Sequence, residues 1–349
     1  MMVEKKRVGL AFQGGIFPAG AVGAGVVKYL VEKGAFNEYD IDVFSGTSSG
    51  ALVASVCWGH KLRGTIEEAP KTLEKQWMHF ASGLVPDARV AQMAQLLDAV
   101  ARLNPVYEFY SENVIVPLMR QLMKEWILTY IPIDELIELR DKLRDRAEHI
   151  PGLALGAADV LRGEIKVFTE RDFSLEAILA SGSLDEVNGL TIIKEGSNKG
   201  DYCDGAWGTN PPLTPLVYCS IDELWLVQFF PQERKNLPKT PAERKERKDE
   251  LWQNSLVDHE LYFINKVNEW LASGRLNNED GKYRHIKLKT MPMLLDLPAG
   301  VGFVNTPSFI QEMMDYGYDH AKIFLTEQSS SQIKIPLTRP CMDFLPLRR

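Results

Sequence analysis

Residues 8–27 carry no charge and follow Lys5, Lys6 and Arg7, the outline of a leader peptide or a first membrane span. The same stretch holds six glycines (Gly9, Gly14, Gly15, Gly20, Gly23, Gly25) and Pro18. In a helix each glycine costs about 1 kcal/mol and the proline roughly 3. The segment is therefore expected to form a buried strand from Arg7 to Phe12, a glycine-rich loop, and a helix running to about Glu32. No other stretch is long and apolar enough to span a bilayer.

The rest of the chain supports burial of a large core. Of its 349 residues 45% are hydrophobic and 25% charged, which argues against disorder and against a polytopic membrane protein. The net charge of −7 gives no electrostatic reason to expect nucleic acid. Cys57, Cys203, Cys219 and Cys341 are too dispersed for a disulfide framework, and no CxxC pair suggests a zinc site. A reducing, cytoplasmic setting fits, with no cofactor and no metal expected.

Strand, loop and helix alternate at the start of the chain. Asp42–Ser45 reads as a short apolar strand, Gly46-Thr47-Ser48-Ser49-Gly50 as a turn, and Ala51–Trp58 as an apolar helix. That order is the signature of parallel β-α units covered on both faces. A largely helical insertion comes next at about 66–147, broken at Pro86, Pro105 and Pro132. Further strands are expected at Leu153–Ala157, Ile165–Thr169, Leu190–Ile193 and Leu224–Phe229, with a hairpin turn at Arg162-Gly163. Thr240-Pro241-Ala242-Glu243 opens a helix with an N-cap, a first-position proline and a capping-box glutamate, and Gly274 ends it. Between Arg234 and Glu250 seven basic and four acidic residues mix, which reads as a solvated helix face. The expected layout is a catalytic core over 1–230 and a mainly helical extension over 231–349 packed on it.

Three elements carry chemistry. Gly46-Thr47-Ser48-Ser49-Gly50 matches G-x-S-x-G, in which a serine sits at the tip of a strained strand-to-helix turn. The amides at the start of the following helix point to where an oxyanion would form. Upstream, Gln13-Gly14-Gly15-Ile16-Phe17-Pro18-Ala19-Gly20 can present backbone N–H groups to an anion, or can be a structural turn. It is neither a dinucleotide loop, since Gly20-Ala21-Val22-Gly23-Ala24-Gly25 has its glycines in the wrong order, nor a Walker A loop. Third, Asp204-Gly205 is a turn signal whose carboxylate can also serve as a general base to a serine.

With these elements the sequence resembles the patatin-like phospholipase family. Gly25-Val26-Val27-Lys28-Tyr29-Leu30 looks like the family's first helix. Ala180-Ser181-Gly182-Ser183-Leu184 resembles the segment ahead of its Asp-Gly motif, and Asn210-Pro211-Pro212-Leu213 resembles the segment just after that motif. The resemblance implies a three-layer α/β/α fold with a mostly parallel central sheet, a helical cap and a C-terminal extension. It implies lipid acyl hydrolysis by a Ser–Asp dyad, with Ser48 as nucleophile and Asp204 as general base. Gly46, Gly50 and Gly205 are then motif glycines. In the family's glycine loop, G-G-G-x-R/K-G, Ile16 stands for the third glycine and Ala19 for the basic residue, with one residue inserted. The oxyanion hole expected here is built from the amides of Gly14, Gly15 and Ile16. The implied partner is a lipid or acyl-ester substrate, with transient membrane-surface contact.

Three other readings use the same residues, one of them an acyltransferase, which also works through a serine elbow. A Ser–His–Asp hydrolase would order Ser48, Asp204 and then His259, His285 or His320, but its elbow normally comes after several strands. The chain could also be a binding protein that keeps the fold without turnover, which the altered glycine loop would explain. Helix-spaced Leu84, Val85, Met93, Leu96, Leu97, Val106, Tyr107, Met119, Met123 and Trp126 are either core or a cap over the site.

Overall fold

The computed structural model describes residues 5–83, 113–114, 116–184, 187–279, 281–298, 300–303 and 305–326. The sequence-predicted cap residues Leu84, Val85, Met93, Leu96, Leu97, Val106 and Tyr107 lie outside them. So do the breaks at Pro86 and Pro105 and the cysteine Cys341.

The start of the chain has the expected strand–helix–strand–helix order with one short helix added before the second strand: β1 (Arg7–Phe12), α1 (Ile16–Glu32), α2 (Ala35–Glu38), β2 (Asp40–Thr47) and α3 (Ser49–Arg63). The described part of the insertion is helical, with α4 (Ala69–Gly83), α5 (Val116–Tyr130) and α6 (Ile133–Asp145). Then come β3 (Gly152–Asp159), β4 (Glu164–Thr169), α7 (Leu175–Ser181), β5 (Thr191–Ile193) and β6 (Gly200–Asp204). The described residues end with α8 (Thr214–Val217), β7 (Glu223–Val227), α9 (Pro241–Ala272), β8 (Lys287–Met291) and α10 (Pro307–Thr326).

The strands form one sheet of eight, connected in the order β5-β6-β3-β2-β1-β7-β8 with β4 also paired to β3. Pairings β3-β2, β2-β1, β1-β7 and β7-β8 are parallel, while β4 and β6 run antiparallel to β3. Alternation along the central strands divides the core in two. Val8, Leu10, Phe12 and Trp225 face α1, α3, α4 and α10; Ala11, Leu224 and Leu226 face α8 and α9 through Leu216, Val257, Leu261 and Ile264. This is a three-layer α/β/α arrangement with a mostly parallel sheet.

The uncharged helix α1 is buried from Pro18 to Val27 because helices enclose it. Its glycines are contact points: a Cβ at Gly20 would lie 1.9 Å from the Trp77 ring, and one at Gly25 1.9 Å from the Met314 carbonyl oxygen. Gly317 of α10 answers from the other side, 2.1 Å from the Val22 carbonyl. The helix-propensity cost of these glycines is offset by close packing that no side chain permits, against a ring at Gly20 and against backbone at Gly25 and Gly317.

Two strands are not expected from the sequence, β6 and β8. β6 carries Asp204 at its end. β8 pairs with β7 in register from Glu223↔Lys287 to Val227↔Met291, so the segment after residue 230 supplies an edge strand as well as helices. Helix α9 starts at its capping box, with Thr240 accepting from the Glu243 amide at 3.2 Å and the Glu243 carboxylate accepting from the Thr240 amide at 2.9 Å.

Candidate active site

Ser48 stands between the last residue of β2 and the first of α3 with φ 56° and ψ −125°. A non-glycine residue with that backbone is strained, and such strain concentrates at functional turns. The turn is possible because its two glycines give way to backbone. A Cβ at Gly46 would lie 2.2 Å from the Gly50 carbonyl oxygen, and one at Gly50 2.2 Å from that of Phe12. The Ser48 amide is itself held, donating to the Ser181 carbonyl at 3.0 Å and to Ser181 Oγ at 3.1 Å. Half-buried Ser48 therefore sits at the positive end of the α3 dipole.

Sheet register brings the end of β6, which carries Asp204, to the end of β2. β4 lies along one side of β3, pairing Val167 with Gly156 and Lys166 with Ala157. On the other side Thr47 pairs with Gly156 and Asp204 with Ala157. β2 and β6 thus meet end to end against consecutive residues of β3, about 3.3 Å apart along the strand. Asp204 is 1% exposed and its amide donates to the Ser183 carbonyl at 2.8 Å. Oδ1 accepts from the Ala206 amide at 2.8 Å, capping the short turn Gly205–Trp207. Gly205 is required there, since a Cβ would lie 2.3 Å from the Gly156 carbonyl oxygen.

The glycine loop runs beside the elbow. Gln13 roots it, its Oε1 accepting from the amides of Phe229 (2.8 Å) and Phe230 (3.2 Å) beyond β7. Gly14 is committed elsewhere: its amide donates to Asn210 Oδ1 at 2.6 Å in a fully buried contact. Of the three amides expected to face an oxyanion, the Gly14 N–H is thus the one with a short buried acceptor. The Gly15 amide makes only a long bond, 3.4 Å, to Ser49 Oγ. Ile16 has φ 60°, so a β-branched residue adopts the left-handed backbone that a glycine would take freely.

Ile16, Phe17, Ser48 and Ser49 line one cavity of about 40 Å³, whose remaining walls are apolar: Leu52, Trp77, Met123, Trp126, Ile127, Ile178 and Leu179 among them. Met123 and Trp126 thus belong to the site and not only to the core, and Trp77 joins them although no sequence signal singles it out. A larger cavity of about 280 Å³ lies away from Ser48, between α1, α4 and α10. There Lys28 pairs with Glu74, Glu32 accepts from the Tyr318 hydroxyl at 2.8 Å and Asp315 accepts from Gln311 at 2.8 Å, and no serine lines it.

Among the described residues no histidine lines the cavity at Ser48. His60 lies twelve residues along α3, roughly 18 Å away at 1.5 Å per residue, between Thr65 Oγ1 (3.0 Å) and Thr72 Oγ1 (2.9 Å). Burial, aided by Arg63, lowers its pKa. His149 bonds Asp42 at the opposite end of the sheet, His259 and His285 are exposed, and His320 packs on Tyr316 in α10. Cys57 of α3 is fully buried, and burial pushes its thiol pKa up, which removes it as a rival nucleophile.

The sequence profile of the patatin-like phospholipases matches residues 10–217, from β1 past the Asp-Gly turn to the end of α8. The chain belongs to the patatin-like phospholipase family. No curated protein matches the sequence. Among solved structures, this patatin-like chain is similar to VipD from Legionella pneumophila at 14% identity and a TM-score of 0.41, with 93% of this chain and 67% of VipD covered. It is also similar to the type III effector protein ExoU at 14% identity and a TM-score of 0.30, covering 90% of this chain and about half, 52%, of ExoU. No described helix is long and apolar enough to cross a membrane.

Proposed function

We propose that this chain is a serine lipid acyl hydrolase working through Ser48 and Asp204. The observation that supports the reading is the end-to-end meeting of β2 and β6 on consecutive residues of β3, with the strained Ser48 directly after Thr47 of β2 and the buried Asp204 at the end of β6. An apolar cavity opens beside that serine.

In this mechanism Asp204 takes the proton of Ser48 Oγ as the oxygen bonds to the ester carbonyl carbon. The carbonyl π electrons move onto oxygen, and the amides of Gly15 and Ile16 and the start of α3 stabilise the charge. Collapse breaks the bond to the alcohol, which leaves with the proton from Asp204. Water then attacks the acyl-enzyme, giving its proton to Asp204, and the second collapse frees the acid and returns the proton to Ser48. The absence of histidine from the cavity lining, among the described residues, supports a dyad over a triad.

The apolar lining of Leu52, Trp77, Met123 and Trp126 matches the chemistry of an acyl chain, and at about 40 Å³ these walls must part to admit one. Helix α5, which supplies two of these, also exposes Leu118 and Leu128, in keeping with transient contact with a lipid surface. The test is hydrolysis of phospholipids, lysophospholipids, acylglycerols and nitrophenyl esters by the wild type and by Ser48→Ala. The reading expects at least one ester class to be cleaved by the wild type alone. Rates equal to those of Ser48→Ala across the panel would overturn it.

A further inference from the structure

We infer that Gln253, on a helix beyond the segment matched by the family profile, is a positioning residue that holds the glycine loop and Asp204 in one fixed relation. The inference rests on the hydrolase reading. Asn210 grips Gly14 from both sides, its Oδ1 accepting from the Gly14 amide at 2.6 Å and its Nδ2 donating to the Gly14 carbonyl at 3.2 Å. The second Nδ2 hydrogen goes to Gln253 Oε1 at 2.8 Å. Gln253 Nε2 donates to the Ala206 carbonyl at 2.9 Å, and the Ala206 amide donates to Asp204 Oδ1 at 2.8 Å. Hydrogen bonds therefore run from the glycine loop to the Asp204 carboxylate through a single side chain of α9.

Backbone groups at both ends fix the direction of this relay. The Gly14 N–H needs an acceptor and its carbonyl a donor, so Asn210 has one satisfying orientation. Gln253 must then turn its oxygen to Asn210 and its nitrogen to the Ala206 carbonyl. Asn210 is 1% and Gln253 7% exposed, leaving little room for water to replace either. Two turns along the same face of α9, Glu260 holds the far end of the segment. It accepts from Thr209 Oγ1 at 3.1 Å, from the Leu213 amide at 3.0 Å and from the Thr214 amide at 2.6 Å. Val257, Leu261 and Ile264 anchor the helix in the core beneath the sheet. α9 thus splints residues 206–214 against the loop, whereas the cavity beside Ser48 takes no residue from α9.

This geometry separates the constants. Loss of Gln253 lets the base and the oxyanion donors drift apart but leaves the acyl-binding walls alone. In the full chain Gln253→Leu is expected to lower kcat about 10- to 100-fold, the scale of a misplacement near 1 Å, with KM within about threefold. Hydrogen exchange should rise in both residues 13–16 and residues 204–210, a readout independent of turnover. Gln253→Glu keeps the acceptor for Asn210 but sets a carboxylate against the Ala206 carbonyl; once protonated it donates as the amide did. Its kcat relative to wild type should climb as pH falls, which a mere packing loss would not produce. That pH ratio decides the matter if Gln253→Leu does not fold. A folded Gln253→Leu with kcat within about threefold of wild type, unchanged exchange in either segment, or a flat ratio for Gln253→Glu overturns the inference. If wild type and Ser48→Ala are equally inert, the hydrolase reading has failed, and exchange alone still judges the splint.

Discussion

The backbone amides of Ser48 and Asp204 are held by one short turn, Ser48 donating to the Ser181 carbonyl at 3.0 Å and Asp204 to the Ser183 carbonyl at 2.8 Å. A shift of the α7 terminus therefore moves both residues together. Such common anchoring is what the proposed proton transfer between them would need, since it requires hydrogen-bond reach.

Ser48→Ala should abolish ester hydrolysis and labelling by a fluorophosphonate while the protein stays folded. The neighbouring Ser49 is 5% exposed and its Oγ faces the Gly15 amide, so it is not expected to substitute. Mass spectrometry of the labelled peptide checks this, and modification at Ser49 would sink the assignment.

Asp204→Asn keeps the shape of the side chain but removes the base, and activity should fall close to background. Replacing His60, His79, His149, His259, His285 or His320 by Gln should leave turnover within a few-fold in each folded variant. One histidine variant as inactive as Ser48→Ala would instead establish a triad.

At the glycine loop the amides should matter and the Ile16 side chain should not. Gly15→Ala places a Cβ 2.2 Å from the Phe229 ring, so the loop must move. Losing an oxyanion donor typically costs about 10²–10³ in rate, and kcat should drop on that scale. Ile16→Gly relieves a strained φ and keeps the amide, so kcat should remain near wild type. The opposite ranking of these two variants would make the loop a structural turn.

Trp126 closes the cavity, stacked edge-on to Trp77 with ring centroids 5.5 Å apart and its Nε1 donating to the Gln76 carbonyl at 3.0 Å. Trp126→Leu should extend the cavity and move the optimum of a nitrophenyl ester series towards longer chains. The same change should lower the melting temperature, because a large buried ring is lost. An unaltered chain-length profile would place the acyl group elsewhere.

At the opposite end of the sheet, Glu223 is buried between Lys289 (2.6 Å) and Lys6 (3.0 Å), and Trp225 Nε1 donates to it at 2.9 Å. Burial pulls its pKa up, but the hydrogen bonds from Lys289, Trp225 and Lys6 outweigh it and hold the carboxyl below its ordinary value. A depressed carboxyl stabilises the fold above its unfolded pKa, and that contribution fades as pH falls through the lower folded value. Glu223→Gln should therefore melt below wild type at pH 7, with the gap closing in acid. Melting curves from pH 7 to 3 check the sign, and a gap that widens in acid contradicts it.

Much of the site is legible in local pattern. Gly46-x-Ser48-x-Gly50 between an apolar strand and an apolar helix identifies an elbow, since only small flanking residues let that turn close. Thr240, Pro241 and Glu243 announce their helix start just as locally. β6 is hidden in the sequence because Gly200-Asp201-Tyr202-Cys203-Asp204 has no apolar alternation, and its pairing with β3 and β5 supplies what propensity does not. β8, as Lys287-Leu288-Lys289-Thr290-Met291, is hidden for a related reason: it is an edge strand whose lysines are directed by Glu223 and by solvent.

The sequence by itself determined which residues can do chemistry: a serine in a glycine-flanked turn, an aspartate before a glycine, and a loop rich in backbone donors. Tertiary structure alone decided which of them meet. That β2 and β6 abut on the same side of β3 is a matter of sheet register, and register depends on partners far away in the chain. It likewise decided that the Gly14 amide belongs to Asn210, and that a glutamine in the middle of a long helix links the loop to the Asp204 turn. A hydrogen-bonding side chain has no periodic signature, because its role is set by whatever the fold places within about 3 Å of it.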